Sequence, residues 1–167
     1  MIIAMVLKKL GMDDRKIYMY DTYEGMSEPT AADKDIHGHT AGDLLKTAGK
    51  QDNIVCYSTL DEVKENMRKT GYPLDHIRFV KGKVEETIPS VMPVTISLLR
   101  LDTDWYESTL HELQHLYPRL TRRGVLIIDD YGHWQGARKA VDEYIESNGL
   151  DLLLNRIDYT GRIALKI

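Results

Sequence analysis

The chain has 167 residues, 43% of them hydrophobic, enough for one globular domain with its own core. A formal net charge of −4, with Lys and Arg scattered among acids, argues against a nucleic-acid groove. No stretch reaches the ~20 apolar residues of a bilayer span, and one cysteine, Cys56, excludes an intrachain disulfide and points to a reducing compartment, the cytoplasm.

Taken in order, Met1 to Leu10 shows apolar residues at helical spacing and stops at Gly11, a C-cap residue type. Its Lys8-Lys9 end has the wrong polarity for a signal peptide. Ile17 to Asp21 reads as a strand ending on an acid. An acid at such a strand end takes ribose hydroxyls in nucleotide-binding α/β folds, although a plain strand-end or N-cap Asp is the simpler reading. Glu24 to Ser58 is a long polar connection with a short helix around Ala41 to Ala48. A connection of that length inside a domain points to a lid or binding loop, in which His37 and His39 are secondary candidates. Cys56 sits in it between apolar neighbours and reads as a small buried hydrophobe.

Thr59 with Glu62 makes a capping box ahead of a helix whose inner side is Leu60, Val63 and Met67, closed by Gly71-Tyr72-Pro73. Ile77 to Val80 is the next strand, and Gly82 follows it, either a turn residue or a point of close backbone approach. Thr87-Ile88-Pro89 and Met92-Pro93 mark a short helix and a loop.

Ile96 to Leu101 is an apolar strand that stops on Asp102 and Asp104. Glu107 to Arg123 carries Leu110, Leu113, Leu116, Tyr117 and Leu120 at helical period, and Gly124 to Ile128 is a second strand, ending on Asp129 and Asp130. Strand, helix, strand implies parallel neighbours, so both acidic pairs fall on the carboxyl edge of one sheet, where open α/β folds bind ligands. Four like charges repel, and a divalent cation removes the conflict. The hard oxygen donors favour Mg²⁺, Ca²⁺ or Mn²⁺ over zinc, against the reading in which the aspartates only cap helices. Downstream, Gln135 to Ser147 is a helix with Ala137, Ala140, Val141, Tyr144 and Ile145 inward. The runs 152–157 and 162–167 close the chain as an antiparallel hairpin around Thr160-Gly161.

The segments IYMYDTYEGMSEP, LLRLDTDWYEST and GVLIIDDYGHWQGARKAVDEY resemble the macrocin O-methyltransferase family of TylF, MycF and NovP type, from about Ile17 to the C-terminus. That resemblance implies a class I methyltransferase fold, Rossmann-like, with a mostly parallel sheet closed by the antiparallel hairpin, in a single domain over residues 1–167. It implies S-adenosylmethionine- and Mg²⁺-dependent methyl transfer to a hydroxyl of a sugar in a macrolide or aminocoumarin type natural product. Carried over residue by residue, Asp102, Asp129 and Asp130 match the metal ligands and Asp104 the general base. Asp21 matches the ribose contact, Gly82 the turn beside the adenine, and Asp102 a cofactor contact as well. His133 and Trp134 follow the metal loop toward the acceptor pocket. The family's first strand and Gly-rich turn have no counterpart ahead of Met1, so a truncated methyltransferase domain is expected, with homo-oligomer formation left open. A metal-dependent hydrolase and a non-catalytic remnant of a methyltransferase are the alternatives.

Overall fold

A computed structural model describes residues 1–48 and 57–167. Its elements are α1 (Ile2–Lys9), β1 (Ile17–Asp21), α2 (Ala41–Thr47), α3 (Leu60–Lys69), β2 (Ile77–Lys81), α4 (Val84–Thr87), β3 (Ile96–Leu101), α5 (Tyr106–Leu116), β4 (Leu120–Ile128), α6 (Gln135–Ser147), β5 (Asn155–Arg156) and β6 (Arg162–Leu165). Cys56 lies outside the described residues. Contacts fall into two compact units, Met1–Ser27 with Gly49–Lys83 and Glu28–Ala48 with Val84–Ile167. No helix among the described residues is long and apolar enough to cross a membrane.

In the first unit β1 and β2 pair in parallel, Ile17 beside Ile77 and Asp21 beside Lys81. Its core gathers Ala4, Met67, Tyr72 and Ile77, with Leu7, Val63 and Phe79 packed against them. Both helix ends predicted from sequence are built as expected. Gly11 takes φ +67° while its N–H reaches the Lys8 carbonyl and the Met12 N–H reaches Leu7, a Schellman closure of α1. Thr59 and Glu62 close a reciprocal capping box on α3, whose inner side centres on Met67.

The second unit holds a sheet in the order β3-β4-β6-β5. β3 and β4 run parallel with Leu101 beside Ile128, and β6 pairs antiparallel with both β4 and β5. The closing hairpin is therefore present, with strands shorter than the apolar runs suggest. Buried Leu99, Leu101, Leu113, Leu116, Leu126, Ile128, Ala140 and Val141 form the core, and Tyr117 meets Tyr144 edge-on at 5.6 Å.

Two expectations need correction. The helix predicted over Glu107 to Arg123 ends at Leu116. A 3-10 turn, Tyr117–Arg119, follows, and Leu120 already belongs to β4, opposite Ile96. Pro118 is the cause, because its ring cannot donate the hydrogen bond that a continuing helix requires. On α6, Ala137, Ala140, Val141 and Tyr144 are buried as expected, but Gly136 is buried too and Ile145 only partly.

Candidate metal centre and active site

The parallel register of β3 and β4 brings the two acidic pairs to one place. The Asp129 N–H donates to the Leu101 carbonyl at 3.0 Å, tying the two strand ends together. Ligand oxygens of Asp102, Asp129 and Asp130 then lie within 4.8 Å of one another. Opposite ligands of a Mg²⁺ ion are about 4.1 Å apart and those of a Ca²⁺ ion about 4.8 Å. Three hard oxygen donors within that separation suit such a cation.

Asp104 joins the group by a different route. It sits at φ +62°, a left-handed conformation that Asp tolerates better than most residues. The Trp105 N–H closes the turn onto the Thr103 carbonyl at 2.6 Å. Trp105 is buried and meets Trp134 edge-on at 5.0 Å. With the chain so turned, the Asp104 side chain hydrogen-bonds Asp130 and Trp134. Thr103, between the two aspartates, donates its hydroxyl to Glu112 on α5 at 2.9 Å.

The electrostatics show the strain of this gathering. Burial, the hydrogen bond shared with Asp129 and nearby carboxylate charge push Asp102 up to about 7, although Arg100 opposes them. Burial and the charge of Asp104 push Asp130 up to about 8. Asp104 is also raised, burial being the main cause. Arg100 answers part of the charge by bridging Asp102 and Asp129 at 2.5 and 2.9 Å.

The segment read as a lid or binding loop is, over its residues 28–48, stitched beneath this site. Asp33 is fully buried, and its Oδ1 accepts the Tyr106 N–H at 2.7 Å, the first amide of α5. Its Oδ2 accepts the Thr30 N–H and hydroxyl at 2.7 and 2.9 Å. Gln135 donates its amide N–H to the Lys34 carbonyl and its side chain to the Asp35 carbonyl. Burial would raise Asp35, but the His39 ring and the His39 and His37 amides outweigh it and hold the carboxyl at about 2. His37 and His39 themselves are exposed, and His39 is spent on Asp35 at 2.8 Å. Trp134 is buried at the start of α6, while His133 stands edge-on to it with Nδ1 3.1 Å from the Tyr159 hydroxyl.

Asp21 and Gly82 belong to the first unit and meet there. The Gly82 N–H donates to the Asp21 carbonyl at 3.0 Å, and Gly82 takes φ +133°, open to glycine and strained for other residues. The Asp21 carboxylate is exposed and turned onto its own loop, accepting the Tyr23 N–H at 2.6 Å.

Asp33, Thr103 and Glu112 escape a reading by pattern. Asp33 looks like any polar loop residue, and Glu112 falls among the charged positions of an amphipathic helix. The one available signal is that Trp105 leaves α5 without a side-chain cap, so the cap must come from elsewhere.

Comparison with known proteins agrees with this architecture. The macrocin-O-methyltransferase (TylF) family model matches residues 1–165. A tetracenomycin-C 4'-O-methyltransferase acting on a dimethoxyrhamnosyl substrate, from Streptomyces olivaceus, is 32% identical, over 93% of this chain and 57% of its own length. Mycinamicin III 3''-O-methyltransferase from Micromonospora griseorubida is 30% identical, over 93% of this chain and 59% of its own. The structure of the O-methyltransferase NovP superposes with a TM-score of 0.81 at 28% identity, covering 98% of this chain and 65% of that one. A calicheamicin methyltransferase, CalS11, shares the fold at a TM-score of 0.61 and 16% identity, over 96% of this chain and 65% of its own. The chain spans about 57–59% of the length of the two sequence relatives named here. With its family model matched almost end to end, the chain belongs to the macrocin-O-methyltransferase (TylF) family.

Proposed function

We propose that this chain serves S-adenosylmethionine-dependent methyl transfer to a sugar hydroxyl of a natural product, assisted by Mg²⁺. The observation that carries the reading is the gathering of Asp102, Asp129 and Asp130 within 4.8 Å beside a fourth carboxylate, Asp104. The relatives' own names, which specify O-methylation on rhamnosyl and mycinamicin substrates, support the acceptor class.

The chemistry asks for a hydroxyl to lose its proton as it attacks the sulfonium methyl in line. A cation held by Asp102, Asp129 and Asp130 would supply a Lewis acid that lowers the pKa of that hydroxyl. Asp104 takes the proton. Its pKa, raised by burial, gives it more affinity for a proton than an ordinary carboxylate has, which suits a general base. The Trp134 indole and the φ +62° turn fix its direction. Asp21, at the end of β1, would accept from the cofactor's ribose hydroxyls once turned from the Tyr23 amide, and the bare backbone of Gly82 suits a flat ring.

Titration with S-adenosylhomocysteine and Mg²⁺ by calorimetry, followed by a screen of deoxysugar glycosides as acceptors, tests the reading. Asp102→Asn should abolish the Mg²⁺ signal. Asp104→Asn should keep it and lower turnover by roughly 10²–10⁴-fold, the usual worth of a general base. Mg²⁺ heat that survives Asp102→Asn would reject the metal assignment.

A further inference from the structure

Glu112 is a buried carboxyl that the mechanism above does not use. It lies in the middle of α5, 5% exposed, on a face otherwise made of Ser108, Thr109, Leu113 and Leu116. A leucine there would extend the apolar run of Leu113 and Leu116 without the cost of burying an acid. Its polar contact is with Thr103, whose hydroxyl donates to Glu112 Oε2 at 2.9 Å. Helical side chains lean toward the N-terminus, so Glu112 reaches back over the first turns of α5 to the loop that precedes them.

That loop is the one carrying Asp102 and Asp104. In the chain order Asp102-Thr103-Asp104 the outer residues turn to the acidic cluster, while the middle one is drawn down to α5. On the far side Trp105 is buried and Tyr106 is held by Asp33. Asp104, at φ +62°, is thus suspended between two anchored points.

We propose that the Thr103–Glu112 hydrogen bond is a positioning device that holds the acidic loop in its turn, with Glu112 acting through Thr103 and touching neither metal nor substrate. This rests on the metal-assisted reading given above. Burial first, and then the charges of Glu85 and Asp102, push Glu112 up to about 8 despite the Thr103 hydrogen bond. Protonated near neutrality, it anchors the loop without adding negative charge to the cluster.

The test uses the full chain and two kinds of variant. Thr103→Val and Glu112→Leu keep the shape and remove the bond, whereas Thr103→Ser and Glu112→Gln keep it. Hydrogen exchange is followed at the amides of Asp104, Trp105 and Tyr106, and Mn²⁺ affinity by electron paramagnetic resonance. The first two variants should exchange at these amides roughly tenfold faster and bind Mn²⁺ roughly fivefold more weakly. The conservative pair should stay within about twofold of the parent, and Thr103→Val/Glu112→Leu should be no worse than the worse single variant.

Unchanged loop exchange in Thr103→Val would overturn the proposal, as would faster exchange that leaves Mn²⁺ affinity untouched. Equal losses in the conservative pair, or protection lost throughout α5 and α6, would do the same. If Glu112→Leu fails to fold, Thr103→Val decides alone. A parent chain that binds no Mn²⁺ rejects the metal reading itself, and the exchange arm still decides whether the pair holds the loop.

Discussion

The Nη2 atom of Arg100 lies 2.9 Å from Oδ2 of Asp129, and the same guanidinium reaches Asp102 at 2.5 Å. Arg100 therefore satisfies with its own charge two of the three carboxylates assigned to a divalent cation. A cation entering the cluster must displace or repel it. Arg100 is 42% exposed in its side chain, so solvent screening cuts the interaction to about 1 kcal/mol, roughly fivefold in affinity. Arg100→Met should bind Ca²⁺ or Mg²⁺ about fivefold more tightly by calorimetry. The comparison belongs at alkaline pH, because losing Arg100 raises Asp102 and Asp130 further and protons then compete with the metal. Weaker binding in the variant would show that Arg100 organises the site more than it competes for it.

Proton uptake gives a second prediction. Asp102 rises from 3.8 to about 7 and Asp130 from 3.8 to about 8. Glu112 rises from 4.5 to about 8. A raised carboxyl binds its proton in the folded chain at pH values where the unfolded chain has lost it. Its contribution to stability is full below the unfolded value and disappears as the pH climbs through the folded one. The metal-free chain should therefore lose thermal stability steadily between about pH 4 and pH 8. Because the carboxylates must ionise to bind metal, saturating Mg²⁺ should release roughly one to two protons near pH 7 and flatten that decline. Melting curves with and without Mg²⁺ across this range check both statements. A melting temperature that rises with pH in the absence of metal would contradict the charge states assigned to the cluster.

How much of this was legible in the sequence follows from what each residue's role depends on. Strand-end acids on β3 and β4 could be read because apolar runs set the strands and the intervening helix sets their direction. The carboxylates then had one edge on which to gather. The end of α5 is masked in the sequence because Leu120 continues the helical period of Leu113 and Leu116, a coincidence that only Pro118 betrays. Asp33 and Glu112 were out of reach for another reason. Each takes a hydrogen-bond partner outside its own stretch of pattern, Tyr106 for Asp33 and the loop residue Thr103 for Glu112, and the polar spacing around it carries no trace of that partner.

The capping box of α3 tests a purely local reading. Thr59 and Glu62 satisfy two helix-end amides that would otherwise face water. Thr59→Ala should cost about 1 kcal/mol in urea unfolding. Thr59→Ser, which keeps the hydroxyl, should cost much less. Equal losses would mean that the threonine methyl packs and that the cap is incidental.

Gly136 and Asp33 carry the last prediction. A Cβ built on Gly136 would stand 2.1 Å from Oδ1 of Asp33 and 3.1 Å from the Tyr106 amide nitrogen. The carboxylate cannot withdraw, since three donors hold it and it is fully buried. Gly136→Ala must therefore either push Asp33 off the first amide of α5 or move α6, at about 1–3 kcal/mol. Asp33→Ala removes the obstruction but leaves the Thr30 and Tyr106 donors unsatisfied, again at about 1–3 kcal/mol. If the clash is the whole defect of Gly136→Ala, the two changes share one cause. The double variant should then be no less stable than Asp33→Ala alone, and a double-mutant cycle on melting free energies reads this directly. Additive losses would show that α6 needs the glycine for a reason of its own.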